Sequence, residues 1–189
     1  MGQRLVINMM YDGEIIANAY YHWSAYTYSA AELTLGICQE YETVKEMTDS
    51  PLELAVELLT QTGAGLNDEE KIRVHSLDPD IVNRLNLRNC IGRNQGLLAI
   101  TEQGIDDNES WSEGSVYINL DTKDINFYVY NYYHLDEFRE EYPEDFELPL
   151  VLYDPFDNAT IDSFEKVVNC IENCNYGVIY ENHVYLWIE

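Results

Sequence analysis

Residues 4–21 read RLVINMMYDGEIIANAYY and carry the clearest structural signal in the chain. Two apolar segments, 4–11 and 14–21, flank the dipeptide Asp12-Gly13. An Asp-Gly pair between such segments is the strongest short hairpin signal, because a type I′ turn requires positive φ angles that these residues tolerate. The sequence therefore predicts that the chain opens with a β-hairpin.

Helical patterns follow this hairpin. A helix is predicted over about 29–47, because apolar residues recur there at spacings of four, four and three: Leu33, Ile37, Tyr41 and Val44. In the next segment Ser50 stands as an N-cap before Pro51, Glu53 follows three residues after the cap, and Gly63 ends the pattern. This arrangement predicts a second helix over 51–62. Further helices are predicted near 79–85, 135–142 and 161–173.

Strand-like runs occupy much of the remaining sequence. They are predicted at 97–101, 115–120, 125–133 and 148–153, and as a final hairpin of 177–180 with 184–188. Because these strands cluster in hairpins, we expect an α+β fold: a largely antiparallel sheet built from hairpins, with three or four helices packed on it. A chain of 189 residues without a low-complexity linker is expected to form a single α+β domain over 1–189.

The composition is strongly acidic. There are 35 Asp and Glu against 10 Lys and Arg, so the formal net charge is −25. Disorder is not expected, because 46% of the residues are hydrophobic and 13% are aromatic. The charge is unevenly distributed: residues 1–70 sum to −10, residues 71–93 to +3 and residues 94–189 to −18. The chain is therefore predicted to be polarised, with one short basic island at 71–93.

Two acidic groups are the candidate partner-binding residues. The first is the densest run, at 136–147, and consists of Asp136, Glu137, Glu140, Glu141, Glu144, Asp145 and Glu147. The second lies in a predicted loop and consists of Asp106, Asp107 and Glu109, followed by Glu113, and the neighbouring Trp111 is a candidate partner-binding residue with them. A solvated surface is the ordinary explanation of such runs. Solubility, however, needs a net charge of only about 2 to 8 in a small domain. The excess favours a basic partner whose nucleic-acid groove an acidic surface can occupy.

Other chemistry has weaker signals. Cys170 and Cys174 share a face of the last predicted helix, but no C-x-x-C pair or further ligand accompanies them, so core packing is the preferred explanation. The four histidines are scattered, and the acidic pairs that could hold Mg²⁺ are uninformative in so acidic a chain. The aromatic block 20–28 is interpreted as a strand burying alternate rings, with an exposed interface patch as the alternative. We expect no cofactor and no metal.

The cellular setting is inferred from what the sequence lacks. The N-terminus runs directly into a strand-like pattern rather than a secretory leader, and no apolar run approaches the roughly 20 residues of a membrane span. We therefore expect a cytoplasmic protein that neither enters membranes nor binds DNA directly through its acidic faces.

Three segments carry a resemblance to a known group of proteins: ANAYYHWSAYT at 17–27, GLLAIT at 96–101 and WSEG at 111–114. They resemble small acidic proteins encoded by phages and prophages of Firmicutes. Some acidic phage proteins of this size inhibit bacterial defence, including anti-CRISPR proteins. The resemblance implies a bacterial host cytoplasm and an anti-defence role, and it supplies no functional residues.

The sequence thus predicts a non-enzymatic inhibitor of a bacterial defence nuclease. Its acidic, nucleic-acid-mimicking surface would block DNA or RNA binding by a basic host protein such as a CRISPR effector nuclease. Two alternatives stay open at this point. One is a metal-dependent hydrolase of nucleotides or nucleic acid, and the other is an immunity-type protein that neutralises a basic toxin.

Overall fold

The fold is taken from a computed structural model, which describes residues 4–22, 27–77, 96–128, 132–134, 161–179 and 183–185. Strands β1 (Leu5–Tyr11) and β2 (Glu14–Tyr21) form the antiparallel hairpin predicted from the sequence. Asp12 and Gly13 have φ angles of 53° and 80°, the left-handed conformation that both central residues of a type I′ turn adopt. The opening hairpin is therefore confirmed, and its strands become the centre of the sheet.

Seven strands make up the main sheet. The remaining ones are β3 (Ala64–Leu66), β4 (Gly96–Ala99), β5 (Gly114–Asn119), β6 (Asp124–Tyr128) and β8 (Gly177–Ile179). Their order is β3-β4-β2-β1-β5-β6-β8. Strands β7 (Tyr132–His134) and β9 (His183–Tyr185) form a separate antiparallel pair.

The α+β class is confirmed, but the sheet is mixed rather than largely antiparallel. Pairs β1–β2, β2–β4 and β5–β6 are antiparallel, whereas β1–β5, β3–β4 and β6–β8 are parallel. Parallel neighbours require a long crossover connection, and the segments between β1 and β5 and between β6 and β8 both contain helices. Hairpin signals indicate only which consecutive strands pair, so they could not predict the parallel pairs.

Five helices lie in the described part of the chain. They are α1 (Thr27–Lys45), α2 (Pro51–Gln61), α3 (Asp68–Leu77), α4 (Glu102–Ser110) and α5 (Ile161–Asn173). The predictions of helices over 29–47, 51–62 and 161–173 are confirmed. Ser50 caps α2 as expected, because its side chain accepts a hydrogen bond from Glu53 N. None of these helices combines the length and apolarity that a membrane crossing requires.

The two faces of the sheet are covered differently. Leu5, Ile7 and Met9 of β1 belong to the main core, together with buried residues of α1, α2 and α5. Because side chains alternate along a strand, Asn8 points to the other face, where α4 packs against β2 and β4. The centre of the hairpin is therefore buried on both sides, and its second face carries the polar contacts that position α4.

Two further expectations are corrected by the fold. Within the described residues, β8 and β9 do not pair with each other as a terminal hairpin: they lie in different sheets, β8 beside β6 and β9 beside β7. The segment around Asp106 is the helix α4 rather than a loop, since Thr101 caps it and its inner side packs on the sheet. The predicted helices at 79–85 and 135–142, the predicted strand at 148–153 and the acidic run 136–147 lie outside the described residues.

A candidate binding cleft between helices α3 and α4

A cleft of about 430 Å³ lies where β4 passes between α3 and α4. Strand β4 contributes residues 97–99, α3 contributes Glu69, Glu70 and Arg73, and α4 contributes Asp107. Trp111, which follows α4, completes the lining together with Tyr20 of β2. This volume falls in the lower part of the range of about 300 to 1,000 Å³ that is typical of ligand sites.

Local sequence places the acidic side chains of α3. The side chain of Asn67 accepts a 2.7 Å hydrogen bond from Glu70 N and so caps the helix. Three acidic residues fill the first turn, where the helix dipole favours negative charge. Their side chains point in different directions: Asp68 and Glu69 are exposed, and Glu70 is buried at 1% exposure.

The buried Glu70 carboxylate joins α3 to the start of α4. Its Oε1 accepts hydrogen bonds from Ile100 N at 2.9 Å and from Thr101 N at 2.7 Å, and its Oε2 accepts one from the Thr101 hydroxyl at 2.8 Å. A buried carboxylate needs such donors, because an unpaired buried charge is strongly destabilising. Glu70 is therefore a positioning residue that fixes the two helices on either side of the cleft.

Arg73 is the basic group of the cleft. Its Nη2 lies 2.8 Å from Asp107 Oδ2 and 3.9 Å from Glu69 Oε2, and its Nη1 lies 3.5 Å from Glu70 Oε2. Desolvation lowers the pKa of the Arg73 guanidinium, but the hydrogen bond and the charge of Asp107, together with the charge of Glu70, outweigh it and raise that pKa. Three carboxylates thus surround one guanidinium, and these four groups sum to a formal charge of −2.

An asparagine network holds α4 on the sheet. Asn18, fully buried on β2, donates to Asn8 Oδ1 at 3.1 Å and to Ile105 O at 3.2 Å. Asn108 of α4 donates to Asn18 Oδ1 at 2.9 Å and to Leu97 O at 3.0 Å. These bonds cross between helix and strands, so α4 has a fixed position and the neighbouring Asp107 is presented from a rigid element.

Glu109 belongs to the same network rather than to the surface. Its Oε1 accepts hydrogen bonds from Asn8 Nδ2 at 3.3 Å and from the Tyr117 hydroxyl at 3.4 Å. Desolvation, followed by the negative charge of Glu109, raises the pKa of Tyr117, which keeps its hydroxyl protonated as a donor. Of the second predicted group, Glu109 therefore has a clear structural role.

The other members of that group lie beside the cleft. Asp106 and Asp107 are exposed on α4, and Asp107 is held by Arg73. Trp111 caps the C-terminus of α4 and is 61% exposed, with the guanidinium carbon of Arg4 lying 5.9 Å from its ring centroid. The first predicted group, at 136–147, lies outside the described residues.

Sequence reasoning missed the residues that build the cleft. Nothing distinguishes Glu70 from the other 34 acidic residues in the sequence. The sequence marks Arg73 only as a member of the basic island 71–93. In the structure the two described bases of that island, Lys71 and Arg73, both pair with acidic residues of α3. Asn8 and Asn18 did carry a signal, since each is a polar residue in the middle of an apolar strand and they face each other across the hairpin.

Among residues 4–22, 27–77 and the later described segments, no group of three or more His, Cys, Asp or Glu side chains is arranged to hold a metal ion. Comparison with protein-family models, with curated proteins and with solved structures gives no match.

Proposed function

We propose that this chain is an inhibitor, encoded by a phage or another mobile element, of a bacterial defence nuclease. In this proposal its acidic surface occupies the basic channel in which the nuclease binds DNA or RNA. The observation that carries the proposal is the net charge of −25, together with the exposure of carboxylates on both helices beside the cleft. An anti-CRISPR role is the form that the resemblance to acidic phage proteins favours.

The exposed acidic residues around the cleft support a binding role. Asp68 and Glu69 lie on α3, and Glu102, Asp106 and Asp107 lie on α4. We refer to these five residues as the acidic rim. Trp111 is exposed and lines the cleft together with Glu69 and Asp107 of this rim, and Trp is among the residues that most often dominate the binding energy of protein interfaces.

Electrostatics explains why a basic partner fits. A basic nucleic-acid channel is built to bind rows of phosphates, so carboxylates can take the place of those phosphates. Complementary charge also raises the association rate. Salt screens this attraction, so that at 0.1 M ionic strength charges more than about 10 Å apart interact only weakly. Binding should therefore fall as salt rises, as it does for nucleic acid itself.

Affinity capture at two salt concentrations tests the proposal. The tagged protein is incubated with host lysate at low salt, washed at high salt, and the released proteins are identified. We expect a basic nuclease or nucleic-acid-binding effector that is released by salt. The outcome that would overturn the proposal is retention of partners that is indifferent to salt, or capture of a basic toxin, which would favour an immunity-type role.

Matched variants make the capture specific. The rim variant combines Asp68→Asn, Glu102→Gln and Asp106→Asn, all at exposed positions. The control variant combines Glu32→Gln, Glu40→Gln and Glu46→Gln, which are exposed positions on or just after α1, on the opposite face of the sheet. Both variants remove three negative charges. A difference in partner binding between them would therefore show that the interface is localised near the cleft. A third variant reverses Glu137, Glu140 and Glu141 to Lys, and it should also release the partner.

A further inference from the structure

We propose that the cleft between α3 and α4 receives an arginine side chain of the partner protein, and this inference rests on the proposed function. The guanidinium would lie against Trp111 and bind the carboxylates of Asp107 and Glu69. The described geometry supplies three independent supports: an unbalanced charge, an exposed aromatic ring and a preorganised carboxylate.

The charge in the cleft favours a second cation. Arg73 is the basic residue of the lining, and Glu69, Glu70 and Asp107 all lie within 4 Å of it. The buried Glu70 carboxylate already accepts hydrogen bonds from Ile100 N, Thr101 N and the Thr101 hydroxyl. The Asp107 side chain, by contrast, is 53% exposed and the Glu69 side chain is 83% exposed. These two carboxylates can accept further hydrogen bonds from an incoming guanidinium without displacing Arg73.

The aromatic lining favours a planar cation. Trp111 already has the Arg4 guanidinium 5.9 Å from its ring centroid, which is within cation–π range. A ring that is still 61% exposed has room for a second guanidinium. Tyr20 lines the same cleft from β2. Arginine suits this arrangement better than lysine, because it stacks on rings and binds carboxylates through two parallel hydrogen bonds.

The fixed position of Asp107 favours binding of a guanidinium at this one site over general attraction of cations to the acidic surface. The next residue, Asn108, is bonded to both β2 and β4, and Arg73 holds the Asp107 carboxylate from the other side. A carboxylate fixed in this way loses little freedom when it binds, which is the advantage of a preorganised site.

Peptide titration tests the inference without the partner. The probe is the peptide Ac-Gly-Arg-Gly-NH2, compared with Ac-Gly-Lys-Gly-NH2, and binding is followed by chemical shifts of backbone amides and of the Trp111 indole. We expect shifts that concentrate on α3, β4 and α4, with the arginine peptide binding about fivefold to tenfold more tightly than the lysine peptide. Equal binding of both peptides, or shifts spread over all acidic surfaces, would overturn the inference.

Variants separate the cleft from general electrostatics. Asp107→Asn and Trp111→Ala should each weaken the arginine peptide about tenfold, whereas Glu40→Gln on α1 should change it by less than twofold. Trp111→Phe keeps a ring and should retain part of the binding. A cleft variant that keeps wild-type affinity while its amide spectrum stays that of the folded protein would contradict the site.

The failures of the two proposals are distinguishable. If a basic partner is captured in a salt-dependent manner but Asp107→Asn and Trp111→Ala leave its affinity unchanged, the cleft inference fails and the proposed function stands. If the arginine peptide binds the cleft but no basic host protein is captured, the proposed function fails and the arginine site stands.

Discussion

The hydroxyl of Thr101 donates a 2.8 Å hydrogen bond to Oε2 of Glu70 and thereby joins the N-cap of α4 to the first turn of α3. The same hydroxyl accepts a 3.1 Å hydrogen bond from Gly104 N, as an N-cap should. The Thr101 side chain thus accepts a hydrogen bond from a free backbone N–H in the first turn of α4 while it donates one to the neighbouring helix α3. The width of the cleft depends on this contact.

Replacing Glu70 by Gln is expected to lower the free energy of unfolding by about 2 to 4 kcal/mol. The amide keeps one acceptor oxygen but turns an NH2 group toward the donors that Glu70 satisfies. Urea denaturation of this variant and of the parent protein measures the difference in the free energy of unfolding. Glu69→Gln is the matched control, since the adjacent side chain is exposed and its loss should change stability by no more than about 0.5 kcal/mol. Equal effects of the two changes would refute the role given to Glu70.

Gly104→Ala should destabilise the protein even though the residue lies in a helix. A Cβ at this position would collide with the carboxylate of Glu70, and we expect a loss of about 1 to 3 kcal/mol. Gly36→Ala in α1 is the opposite case, because apart from its chain neighbours and the backbone of its own helix no atom lies within 4 Å of the added Cβ. That change should stabilise by about 0.5 to 1 kcal/mol. Thermal denaturation measures both effects, and stabilisation by both substitutions would contradict the close contact of the Glu70 carboxylate with the first turn of α4.

Alkaline pH should destabilise the fold. Burial raises the pKa of the Tyr21 and Tyr176 hydroxyls above their ordinary value of 10.0, and that of the Cys38 thiol above 9.0. The folded state therefore favours the protonated forms, so their stabilising contribution is complete below those ordinary values and is lost as pH rises above them. Each group adds a slope of up to about 1.4 kcal/mol per pH unit. Urea denaturation between pH 8 and 11 should show this loss.

The Tyr21→Phe variant tests the source of that slope. It should be less stable than the parent protein at pH 8, because the hydroxyl of Tyr21 is hydrogen-bonded to Thr62, but its stability should fall less steeply above pH 10. Thr62→Val removes the hydrogen-bond partner and keeps the phenol, so it should retain the full slope. Identical slopes in Tyr21→Phe and in the parent protein would exclude Tyr21 as a contributor.

Added salt should raise the melting temperature. A net charge of −25 produces self-repulsion that screening reduces, so moving from about 0.01 M to 0.5 M NaCl should raise Tm by several degrees. The variant with Glu32, Glu40 and Glu46 replaced by Gln should show a smaller rise. A Tm that stays constant or falls with salt in the parent protein would mean that the acidic residues are spaced too widely to repel.

The local signals in the sequence predicted those elements that local chemistry determines. Asp12-Gly13 indicated the hairpin, and Ser50-Pro51 with Glu53 indicated the start of α2, because turns and caps are decided by residues a few positions apart. Strand partners such as β8 with β6 are decided by the packing of distant segments. The hairpin predicted at 177–188 was wrong for this reason.

Helix α4 and the cleft show the other limit of the sequence. Within Glu102–Ser110 the one large apolar residue is Ile105, and Gly104 interrupts the segment, so no helical periodicity is visible. Thr101 caps the helix locally, but Glu70 and the asparagine network that hold it on the sheet depend on tertiary contacts. The predicted residues Asp107 and Trp111 line the cleft, and Asp106 is exposed on the same helix as Asp107. A pattern of acidic residues, however, cannot show that Glu109 turns inward to Asn8 and Tyr117.

Competition with nucleic acid tests the central claim most directly. The captured partner is bound to a labelled DNA or RNA ligand, and the bound fraction is measured as the protein is added at about 0.1 M and 0.5 M NaCl. The account predicts stoichiometric displacement at the lower salt, weaker displacement at the higher salt, and a larger loss in the rim variant than in the α1 control variant. A ternary complex that keeps its nucleic acid, at either salt concentration, would contradict it.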